Sequence, residues 1–136
     1  MGVSVLSKPT KEDADLLLRY FAIMRSDEDF KKAVHWFWEE FNEKTYRAFK
    51  RKYPARSEGY RNFTIVCSYW EILSTLVNND VLNEDLVFDM FILPWERAEP
   101  IVYGLRKDWK EPRLYENFEV LAKRKAEWEK THPPKV

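Results

Sequence analysis

Glycine is scarce in this chain, with three in 136 residues at Gly2, Gly59 and Gly104. Glycines this isolated cannot build a phosphate-cradling loop, and they leave little for the tight turns of a strand-and-hairpin protein. Cysteine occurs once, at Cys67. That excludes an intrachain disulfide and any cysteine-built metal site, and it suits a reducing compartment, so the expected location is cytoplasmic. Histidine occurs only at His35 and His132. A nucleophile–histidine pair has just those two candidates, and His35 with Glu39, four apart, makes half a metal site where three or four ligands are wanted. Long apolar runs are also missing. The longest, Met90 to Trp95, falls far below the roughly 20 residues of a membrane span, and the opening Met1 to Leu6 has neither the basic flank nor the apolar length of a signal peptide. The expectation is a protein with no membrane association, no cofactor and no obvious catalytic apparatus.

What the chain does hold is aromatic side chains at helical spacing, nine Phe, seven Tyr and six Trp. With 45% hydrophobic and 34% charged residues, the composition is globular. The length fits a single domain over 1–136, with 1–9 and 131–136 expected as flexible ends. The fold class predicted is all-α, a compact bundle of about five helices with an aromatic-rich core. Thr10 and Asp13 start the first helix, which runs to about Met24. Ser26-Asp27-Glu28-Asp29 starts a long second helix that stops at about Lys52, before Pro54. Its stripe holds Phe30, Ala33, Val34, Phe37, Trp38, Phe41, Ala48 and Phe49, and Trp36 falls nearly opposite among charged residues. The third helix, 58–77, is apolar nearly all round and is therefore placed at the centre. A fourth begins near Leu86 and meets Pro94, where it kinks or restarts. Trp95 to Trp109 continues the helical pattern with Pro100 inside it, and a last helix runs from Pro112 through Trp128.

Formal net charge is zero, yet charge is unevenly spread. Residues 44–61 carry seven basic residues against Glu58 alone, and residues 71–99 carry seven acids against Arg97 alone. Opposite patches of this kind can neutralise one another within a fold or pair between copies. The leading functional reading is an interaction module that self-associates as a homodimer, using Trp36 together with Arg47, Lys50 and Arg51. A second reading is a ligand sensor or enzyme with a pocket between the third and fourth helices, lined by Tyr69, Trp70, Glu71 and Asp89. Nucleic-acid binding through 44–61 comes third. Tyr46, Tyr53 and Tyr60 interleave with the basic residues there, but a neutral chain with a pI near 6.8 is a poor general binder of nucleic acid. Lys123-Arg124-Lys125 is expected to be a solvated helix face.

From Tyr60 to about Ala122, several groups of residues carry a resemblance: Tyr60-Arg61-Asn62-Phe63, Tyr69-Trp70-Glu71-Ile72, Val81-Leu82-Asn83-Glu84-Asp85-Leu86-Val87, Pro100-Ile101-Val102 with Leu105-Arg106, and Tyr115-Glu116-Asn117-Phe118 with Leu121. In this order the segment resembles a helical family of short bacterial and phage proteins catalogued as a domain of unknown function. The resemblance implies a helical fold and carries over no activity, catalytic residue or ligand. Some members have an N-terminal membrane span, for which this sequence shows no counterpart.

Overall fold

The computed structural model describes residues 8–136. The expected flexible end at 1–9 therefore falls almost wholly outside the described residues. Within them lie seven helices and no strand: α1 (Lys11–Ser26), α2 (Glu28–Glu39), α3 (Tyr46–Lys52), α4 (Glu58–Asn78), α5 (Glu84–Met90), α6 (Trp95–Asp108) and α7 (Glu116–Thr131). The all-α class holds, but the helix number is seven rather than about five.

The helix starts follow side-chain chemistry. Thr10 accepts from the Asp13 amide while Asp13 accepts from the Thr10 amide, a reciprocal capping box. Asp27, Thr45, Ser57 and Asn83 cap α2, α3, α4 and α5 with a single side-chain acceptor each, without the reciprocal bond. One expected helix is two. The predicted run from Asp27 to Lys52 ends at Glu39 and resumes at Tyr46. A non-local contact serves the break: the Arg97 guanidinium, from α6, donates to the carbonyls of Phe37, in the last turn of α2, and of Phe41, just beyond it. Pro94 marks a fresh start rather than a kink, and Pro100 stays inside α6. The last helix begins at Glu116, four residues later than expected, because Lys110 and Tyr115 adopt left-handed backbone (φ 54° and 56°) in the approach to it.

Two apolar clusters make the core. The first joins Trp36 and Phe37 of α2, Phe41, Phe49 of α3 and Phe63 of α4 to Ile101, Val102 and Leu105 of α6 and Phe118 of α7. The second joins Leu17 and Tyr20 of α1 to Leu73 and Val77 of α4, Val87 and Phe88 of α5, and Leu121 of α7. α4 supplies both, and Trp70 packs against each, so the helix expected at the centre is there. Each fully buried Phe or Leu stabilises the fold by roughly 1.5–3 kcal/mol relative to exposure.

The C-terminal residues, expected to be a flexible end, turn back on the bundle. His132 stacks on Trp128 at 4.2 Å between ring centroids, and the Lys135 ammonium meets Asp89 at 2.8 Å.

Candidate functional site: an apolar cleft between α1, α2 and α4

A cleft of about 380 Å³ opens where α1, α2 and α4 meet the segment that links α5 to α6. Tyr20 and Met24 contribute from α1, Phe30 and Val34 from α2, and Tyr69 and Trp70 from α4. The walls hold one another in place. Phe30 packs on Tyr69 at 4.4 Å between centroids, and Trp70 meets Phe91 edge-on at 5.8 Å. The polar tips of these rings are already engaged. The Tyr20 hydroxyl donates to the Tyr69 carbonyl, and the Tyr69 hydroxyl donates to Asp27, the residue that caps α2. That bond to a carboxylate pushes the Tyr69 phenol up to about 12 and holds the Asp27 carboxyl below its usual range. Burial pushes the Tyr20 phenol up as well.

The mouth is apolar. Phe21, Trp38, Met90 and Ile92 line the cleft while remaining exposed, Ile92 at 78%. Exposed rings and aliphatics grouped around a hollow are uncommon on a surface with nothing to meet. Arg25 is the one ionisable side chain of high charge in the lining. Its guanidinium lies over the Phe21 ring at 5.5 Å and has no acidic partner among the described residues. The residues lining the cleft include no nucleophile beside a base and no pair of carboxylates.

The expected site residues are divided by the structure. Tyr69 and Trp70 stand together in the cleft, but Glu71 and Asp89 are elsewhere. Glu71 reaches from α4 to the start of α7, where its carboxylate accepts from the amides of Asn117 and Phe118 and from the Asn117 side chain. Tyr115, the N-cap of α7, makes no side-chain cap bond, and Glu71 fills that role from a distant helix. Asp89 is exposed and paired with Lys135. Of the four residues of the second reading's pocket, this cleft holds Tyr69 and Trp70.

Trp36 and Trp38 exchange places. Trp36 is buried, stacked on Phe41 at 5.3 Å and edge-on to Tyr53 at 5.1 Å, so it offers no exposed anchor. Trp38, expected in the core stripe, is 45% exposed at the cleft mouth. The burial of Trp36 follows from the end of α2 at Glu39, after which the chain brings Phe41 and Tyr53 against its ring. Arg47, Lys50 and Arg51 are exposed on α3, with Lys50 paired to Asp108 at 2.8 Å.

The uneven charge is neutralised only in part within the chain, and no ion pair among the described residues joins the basic segment to the acidic one. From the basic segment, Lys52 pairs with Glu43 and Arg61 with Asp29; from the acidic one, Glu84 pairs with Arg124 at 2.7 Å. Arg124 is half-buried in that contact, and Lys125 donates to the Phe91 carbonyl, so 123–125 is not simply a solvated face. Among the described residues no three His, Cys, Asp or Glu side chains are grouped as metal ligands, and no helix is long and apolar enough to cross a membrane. Burial pushes the Cys67 thiol up, which keeps it an inert part of the core.

Sequence reasoning missed Phe21, Arg25, Met90, Phe91 and Ile92. A signal existed: the longest apolar run, Met90 to Trp95, is the cleft rim and the linker beside it, and apolar residues just ahead of a proline cannot all face inward from one helix.

Fold and cleft together define an all-helical domain with an apolar cleft on one face. The chain belongs to the family described as Domain of unknown function (DUF4760), which it matches over residues 9–125. No curated protein and no solved structure matches it.

Proposed function

We propose that this protein is an interaction module and that its apolar cleft is the contact surface for a second copy of the chain, in a cytoplasmic setting suited to its single thiol. The observation that carries the reading is the coexistence, on one face, of a hollow and of the protruding side chains that flank it. Trp38, Met90 and Ile92 project beside the cavity that an identical set could enter. A two-fold contact requires such self-complementarity, because the same patch serves both partners. A net charge of zero opposes association with no overall repulsion. On this reading the contact lies on the cleft face rather than at Trp36 and the α3 cations.

Sedimentation of the wild-type chain from micromolar to millimolar concentration tests the proposal, alongside Ile92→Lys and Trp38→Glu. The wild type is expected to show a monomer–dimer equilibrium that both substitutions shift to monomer without loss of helical signal. A wild type that is monomeric throughout refutes self-association.

A second reading is supported by the cleft volume and by Arg25: an amphiphile with an apolar body in the cleft and an anionic head on the guanidinium. Saturable binding of a medium-chain fatty acid, weakened by Arg25→Gln, would favour it over the dimer.

A further inference from the structure

A second cleft, of about 590 Å³, lies between α2 and the first turn of α4 and shares no lining residue with the apolar one. We propose that it binds a free α-amino acid, with the Asn62 carboxamide as its central contact.

Three observations converge there. Asn62 lines this cleft, is only 8% exposed, and its side chain has no hydrogen-bond partner among the described residues. Side-chain amides buried to this degree are nearly always satisfied, and Asn62 offers both a donor and an acceptor to whatever enters. Beside it is the N-terminus of α4, a 21-residue helix. Ser57 engages the amides of Tyr60 and Arg61, leaving those of Glu58 and Gly59 with no acceptor among the described residues at the positive end of the helix. The third observation is the charge around the opening, where Lys31 and Lys32 face Glu40 and Glu58 across the same cleft. Lys31 is bonded to Glu28, whereas Lys32, Glu40 and Glu58 take part in no ion pair among the described residues.

Balanced charge selects the ligand class. A phosphate ester would meet two carboxylates, and a simple amine would meet two lysines. A zwitterion meets both favourably, its carboxylate toward the α4 amides and Lys32, its ammonium toward Glu40 and Glu58. The floor is preformed. Tyr53 lies so close to Gly59 that a Cβ there would fall 2.1 Å from the ring, and the same ring meets Trp36 at 79°. A rigid aromatic wall next to the polar contacts gives the amino-acid side chain a surface to cover.

The test is a titration of the ¹⁵N-labelled protein, followed by two-dimensional NMR, with each standard L-amino acid at millimolar concentration. N-acetyl amino-acid amides and inorganic phosphate serve as parallel probes. At least one free amino acid is expected to shift the Asn62 side-chain resonances and the Glu58 and Gly59 amides saturably, while its blocked derivative and phosphate do not. Asn62→Ala is expected to weaken that binding roughly tenfold or more. Should Asn62→Ala fail to fold, the exposed Lys32→Glu variant supplies the same comparison, with weaker binding expected and the fold intact. Resonances unmoved by every amino acid overturn the proposal, as does equal binding of the blocked derivative or a shift produced by phosphate alone. These results leave the apolar cleft and its dimer untouched, since sedimentation reads that surface separately.

Discussion

Glu71 caps a helix to which it does not belong, and removing its carboxylate exposes what that is worth. The side chain accepts three hydrogen bonds at the start of α7, from the Phe118 amide at 2.9 Å, the Asn117 side chain at 3.0 Å and the Asn117 amide at 3.3 Å. A lost N-cap costs about 0.5–2 kcal/mol and a hydrogen bond to a charged group about 1.5–3 kcal/mol, but these overlap and the site is only half-buried. Glu71→Ala is therefore expected to destabilise by about 2–3 kcal/mol. Glu71→Gln, which keeps an acceptor but loses the charge at the helix N-terminus, is expected to cost about 1 kcal/mol. For a chain of this size, that corresponds to a fall in Tm of roughly 6–12 °C for the alanine variant. Urea unfolding with an unchanged m-value gives the energy, and amide exchange localises it, with the Phe118 amide losing protection. A midpoint change worth less than about 0.5 kcal/mol would refute the reasoning, because an uncapped, partly buried helix end cannot be that cheap.

Arg97→Lys keeps the charge but cannot serve the Phe37 and Phe41 carbonyls with a fork while lying over both rings, so a loss of about 1–3 kcal/mol is expected in denaturant titration. Gly104→Ala should destabilise despite the better helix propensity of alanine, because a Cβ there falls 2.0 Å from the Tyr46 ring; overpacking costs about 1–3 kcal/mol, and Tyr46→Ala in the same chain should relieve it. Tyr69→Phe removes the bond that lowers Asp27, so the Asp27 carboxyl should titrate closer to its ordinary value when followed by ¹³C NMR. Because the folded-state value of Asp27 is depressed, its contribution is present above the unfolded value and is lost as pH falls through the folded one. The variant should therefore show a shallower loss of stability on acidification.

The parts of the fold legible from sequence are those fixed locally. Thr10, Asp27 and Ser57 announced their helices because a short oxygen-bearing side chain at a helix start acts within three residues. α4 was legible because apolar residues around its whole circumference admit only a central position. The break at residues 40–45 was not, since no proline or glycine marks it and Arg97, which serves the carbonyls beside it, lies far along the chain. One clue was present in Thr45, whose hydroxyl caps α3. The error then spread to the candidate site, because a helical wheel continued through the break puts Trp36 outside and Trp38 inside. Glu71 was misassigned for a related reason. Its partners on α7 are nonlocal, and a carboxylate capping another helix looks in sequence like any acid on a polar strip. Tyr69 and Trp70 stand together in the cleft because they are neighbours on one side of α4, whereas Phe91 and Ile92 of the rim lie beyond the end of α5, where periodicity carries no information.

The central claim is that the face holding Trp38, Met90 and Ile92 receives a second copy of the same chain. An isotope-filtered NOE experiment on an equal mixture of ¹³C-methyl-labelled and unlabelled wild-type protein reads that contact directly. Intermolecular cross-peaks to the Met90 and Ile92 methyl groups are expected; their absence at a concentration where the protein is dimeric would show that the copies meet elsewhere and contradict the account.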